Sequence, residues 1–66
     1  MKYVLNYEKE EDEIKYALHV DGWQKAWFHF NELVLSGNTE NIEVYTLWNN
    51  GQPYSDKPVL TYNACG

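Results

Sequence analysis

A chain of 66 residues with ten acidic side chains, five lysines, no arginine and eleven aromatics makes one small acidic domain spanning residues 1 to 66. Its net charge of −5 works against holding a phosphate backbone, which needs basic groups to displace counterions, so nucleic acid is not an expected ligand. No apolar run approaches the roughly 20 residues of a transmembrane helix, and Met1 to Glu8 runs into acid without the apolar stretch of a signal peptide, so no membrane partner and a cytoplasmic location are expected.

Size limits stability as well. A chain of 7.8 kDa removes only roughly 60 per cent of its surface from water on folding, which leaves little margin over the conformational entropy of ordering it. Cys65 stands alone, so no internal disulfide can form, and no ligand cluster suggests a structural metal. Dense aromatic packing, self-association or a partner must supply the difference.

Residues 2 to 8 alternate Tyr3, Leu5 and Tyr7 against Val4, Asn6 and Glu8, and residues 14 to 20 alternate Ile14, Tyr16, Leu18 and Val20 against Lys15, Ala17 and His19. A period of two indicates strands. Between them, residues 8 to 13 carry five acids and one lysine, which is −4 of the chain's −5. That segment is too polar to bury and just long enough to turn, so the two strands form an antiparallel hairpin with the acids at its tip.

From Asp21 to Gly37 the period changes. At about 100° per residue, Trp23, Ala26, Trp27, Phe30, Leu33 and Val34 fall within an arc of about 120°, with Lys25 and Glu32 opposite, as in an amphipathic helix. Trp27, on that arc, is expected to be buried. Asp21 with Gln24 three positions on reads as an N-cap and capping box, and Gly37 as a left-handed C-terminal cap. A third strand follows over residues 42 to 48. Asn49-Asn50-Gly51 is a turn signal, but Pro53 removes a ladder donor, so a longer loop through Pro58 is expected. Residues 59 to 62 form a short last strand, and 63 to 66 a frayed end. The fold class is therefore α+β, in ββαββ order, with an antiparallel-rich sheet and one amphipathic helix packed on one face.

One helix covers one face of a sheet, so the other meets water or another molecule. If Ile42, Val44, Thr46 and Trp48 face the helix, then Glu43, Tyr45 and Leu47 face outward, and the outer face is expected to be rich in tyrosine. Phe28 and Leu35 lie outside the helix's buried arc and form an off-face apolar pair, either an exposed contact surface or the ground that loop 49 to 58 folds over.

Catalytic patterns are not evident. His19 has no second ligand at helical spacing and His29 only Glu32, too few for a metal site, Cys65 has no base nearby, and the acidic run lacks the central glycine of a calcium loop. No enzyme activity and no cofactor are expected. The profile suits a small protein-binding module, an inhibitor or adaptor of the kind phages and mobile elements deploy against host proteins. Its expected contact residues are Glu10, Glu11, Asp12 and Glu13 at the acidic tip, Phe28 and Leu35 on the helix, and Tyr45 on the sheet, meeting a partner protein with a basic surface. The rival reading is a structural or regulatory homodimer joined through a tyrosine-rich sheet face. A single-stranded nucleic-acid binder stacking bases on those tyrosines is a third reading, which the charge opposes.

Overall fold

A computed structural model describes residues 1–11 and 14–63. Four strands and one helix follow in the order β1 (Lys2–Lys9), β2 (Lys15–Asp21), α1 (Trp23–Ser36), β3 (Thr39–Leu47) and β4 (Leu60–Asn63). They build one sheet in the spatial order β2-β1-β3-β4, with every neighbouring pair antiparallel. β2 and β3 therefore run parallel with β1 between them, and α1 makes the crossover that joins them, as parallel strands require.

The registers fix the two faces. Leu5 lies opposite Leu18 on one side and Val44 on the other, Tyr7 opposite Tyr16 and Ile42, and Tyr3 opposite Val20 and Thr46. Leu60 and Tyr62 continue this face across β4, opposite Val44 and Ile42. This is the face that α1 covers: Leu5, Ile42 and Val44 are fully buried against Ala26, with Phe30, Leu33 and Val34 packed around them. Ala26 is the one fully buried helical residue, because a methyl side chain lets the helix axis approach the sheet closely.

Three sequence expectations are corrected here. Asp21 is not the N-cap: its backbone pairs with Lys2 as the last residue of β2, and the cap position falls to Gly22 at φ 103, with no side-chain capping bond and so no capping box from Gln24. A φ of that sign strains any side-chain-bearing residue, so glycine makes the strand-to-helix corner. Trp27 is not buried in the core. It is 47 % exposed and Trp23 is exposed in the same way, because at about 100° per residue Trp27 stands at one edge of the arc, and the contact centres on Ala26, Phe30 and Leu33 toward the other edge, leaving both tryptophans on the flank. Tyrosines do not enrich the open face either, since Tyr3, Tyr7, Tyr16 and Tyr62 share the parity of the core residues and only Tyr45 faces the other way.

The helix ends as its sequence indicates. Gly37 adopts the left-handed conformation at φ 78, and the Ser36 hydroxyl donates to the Leu33 carbonyl at 2.7 Å. β3 begins earlier than its β-branched run because Thr39 to Asn41 pair with Lys9 and Glu8 through a register shift that accommodates Glu40. At the other end Asn49-Asn50-Gly51 closes a tight reversal, with Gly51 at φ 88 and the Trp48 amide donating to Gln52 at 2.8 Å. Pro53 then stops the ladder, leaving an isolated bridge to Leu47 and an irregular segment before β4.

Candidate functional site

The open face of the sheet is mostly polar. Asn6, Ala17 and Glu43 lie side by side across three strands, as do Glu8, Lys15 and Asn41. They line a shallow depression of about 270 Å³. Two apolar residues on this face are nonetheless buried: Leu47, 5 % exposed, and Val4, which sits between His19 and Tyr45. The segment after the Asn-Gly turn explains Leu47. Tyr54 N–H donates to Thr46 and Val59 N–H to Val44, so residues 53 to 59 run along the outer edge of β3, and Pro53 bridges Leu47. Asp56 on this segment comes close enough to act on Tyr45. Partial desolvation, then the carboxylates of Glu43 and Asp56, raise the Tyr45 phenol above its ordinary value, and its hydroxyl donates to Glu43 Oε2 at 3.3 Å.

The loop therefore takes the β3 edge and leaves the off-face helix pair uncovered: Phe28 is 57 % and Leu35 84 % exposed. The tryptophans extend this surface. Trp23 and Trp27 stack at 6.2 Å between ring centroids, Tyr3 tilts against Trp23 at 5.6 Å, and Phe30 stacks on Trp27 at 6.1 Å. On the helical wheel, Trp23, Trp27, Phe28 and Leu35 span about 140°, with the neutral Gln24 and Asn31 among them and both charged residues of the helix, Lys25 and Glu32, beyond. A second exposed aromatic pair, Trp48 and Tyr54 at 4.6 Å, marks the loop.

Of the acidic tip, Glu10 and Glu11 are exposed, while Asp12 and Glu13 lie outside the described residues. The Glu10 amide donates to the Asn38 carbonyl at 2.7 Å, which ties the start of the turn to the segment leaving α1. Leu35 stands on the last turn of that helix, so the acids lie at the Leu35 end of the helix's apolar flank, while Trp23 packs on Tyr3 at the other end. Tyr45 belongs to the opposite side of the sheet and does not join them. Sequence reasoning missed Trp23 and Trp27 as surface residues. The available signals were the wheel, on which Trp27 stands at the edge of the arc, and Ala26, whose small side chain in an arc of bulky ones marks where the helix comes closest to the sheet.

Among the described residues no three His, Cys, Asp or Glu side chains converge on a point that could hold a metal ion, and no helix is long and apolar enough to cross a membrane. Compared with known proteins, the chain matches no family model, no curated protein and no solved structure.

Proposed function

We propose that this domain works by binding another protein rather than by catalysis, as an inhibitor or adaptor, and that its contact surface is the outer flank of α1 together with the acidic turn. The observation that carries this reading is the exposure of Trp23, Trp27, Phe28 and Leu35 on one helix of so small a chain. Large aromatics supply much contact area for little rotamer entropy, and an exposed cluster of them with neutral neighbours is what a desolvated interface centre requires. The adjacent acids define the partner's chemistry: an apolar patch bordered by lysine or arginine. Their role is to raise the association rate, an effect that fades as salt screens it.

The test compares three forms of the protein as baits in lysate of its native host. Phe28→Ala/Leu35→Ala should remain folded by circular dichroism and lose the captured protein by at least about 2 kcal/mol of affinity. Replacing Glu10 and Glu11 by Gln should slow association and flatten its salt dependence with an unchanged melting temperature. Binding that is indifferent to both variants would remove this surface from consideration.

A further inference from the structure

The two edges of the sheet are built differently. On one side, β4 has four residues, and the segment before it carries Pro53 and Pro58, which cannot donate to a ladder. On the other side, β2 has seven residues, no proline and an unbroken register against β1, and no strand lies beyond it among the described residues. One edge is blunted and the other is left open to strand addition.

The hydrogen-bond pattern shows which groups that open edge presents. The carbonyls of Val44 and Thr46 accept from Val59 and Tyr54, on the side of β3 away from β1. Opposed residues in an antiparallel ladder both turn their backbone groups toward each other or both turn them away. Leu5, opposite Val44, therefore turns its N–H and C=O to β2, and Leu18, opposite Leu5, turns its own back to β1. Alternation then directs the backbone groups of Lys15, Ala17, His19 and Asp21 outward. The Gly22 N–H bond to the Met1 carbonyl at 3.0 Å fits the same alternation.

We propose that this edge pairs with β2 of a second copy, about a two-fold axis through Leu18, joining two four-stranded sheets into one continuous antiparallel sheet with both helices on the same side. In this register Lys15 faces Asp21 of the second copy and Ala17 faces its His19, and the reciprocal pairs follow from symmetry. All four outward residues of each strand are used, each opposed pair exchanging two hydrogen bonds. Charge selects the register. Lys15 and Asp21 are exposed at the two ends of β2 on one face of the sheet, so each end of the joint brings opposite charges together. A slip of two residues either way sets Lys15 against His19, or Asp21 against Ala17, and leaves backbone groups unpaired. On the helix side, half-buried Leu18 meets its own copy and half-buried Tyr16 meets Val20, adding apolar burial that the small core lacks. The two acidic turns end up at opposite ends of the paired strands, about 24 Å apart, well beyond a Debye length of about 8 Å at physiological salt.

This inference does not rest on the helix flank, and its test separates the two. Sedimentation equilibrium of the wild-type chain should return twice 7.8 kDa at millimolar concentration and fall toward the single mass on dilution. Amide exchange at the two concentrations should then show Lys15, Ala17, His19 and Asp21 protected only when concentrated, with Leu18 and Val20 protected at both. Lys15→Asp and Asp21→Lys should each weaken association about tenfold, and the double exchange should recover most of that loss while circular dichroism reports an intact fold. A single-chain mass at millimolar concentration overturns the proposal. So does a dimer whose four outward amides exchange as fast when concentrated as when dilute, or a double exchange that associates no better than the single reversals.

Discussion

The two faces of this sheet carry apolar residues for different reasons. On the helix side, Leu5, Ile42 and Val44 are buried by a layer: α1 lies across three strands, and burial there is shared among many neighbours. On the open side, Leu47 is buried by a border, where the chain leaving β3 doubles back along its edge. A layer makes a core that fails as a unit, whereas a border protects a residue or two and can be lifted without dissolving the sheet. The accessible surface of 4756 Å², against about 4,400 Å² expected for the mass, indicates how little cover remains for the rest.

The largest effect that would sharpen this contrast is expected from Leu5→Ala. Removing a fully buried side chain at the centre of the layer should cost about 3 to 4 kcal/mol, most of what a domain of this size has, and thermal unfolding should show no folded baseline at 37 °C. Leu47→Ala should cost less, about 2 kcal/mol, because the bordering segment can settle into the space. Amide exchange should then rise at Tyr54 and Val59 before it rises in β1. Global unfolding by Leu47→Ala to the extent seen for Leu5→Ala would erase the distinction between layer and border.

Trp27→Ala tests the flank of the layer. With about half of its surface still in water, the side chain should contribute about 2 kcal/mol, so the variant should fold with a lowered melting temperature. Tyr45 gives the smallest effect. Its folded-state pKa is raised, so the stability linked to it is complete below pH 10.0, the ordinary value, and is lost as pH climbs through the folded value. Tyr45→Phe should match the wild type at neutral pH and lose less stability above pH 10.0. An identical alkaline limb in both proteins would place the phenol in open solvent.

The acidic turn, the helix and its glycine stop, and the alternation of all four strands were legible in the sequence because each depends on neighbours a few residues apart. Period two and period 3.6 are local properties, and so is the left-handed cap at Gly37. Which set of each strand turned inward was left open at the level of sequence, although Asn6, Glu8, Lys15 and His19 on the other parity of β1 and β2 already favoured the one observed. Tertiary structure decided it by setting Leu5 between Leu18 and Val44, which carried four tyrosines to the helix side with it. The same applies to the helix. The wheel centres the apolar arc on Phe30 and puts Trp27 at its edge, but it does not say how far round the arc burial reaches, and the closest approach at Ala26 left Trp23 and Trp27 at the rim. Asp21 had the side chain of a cap, but the strand kept its backbone, since pairing opposite Lys2 fixed it in the sheet one residue before the helix began. Sequence by itself determined the elements and the placement of charge. Strand order, the depth of helix contact and edge exposure came only from long-range contacts, because each depends on which distant residue takes the other side of a pair.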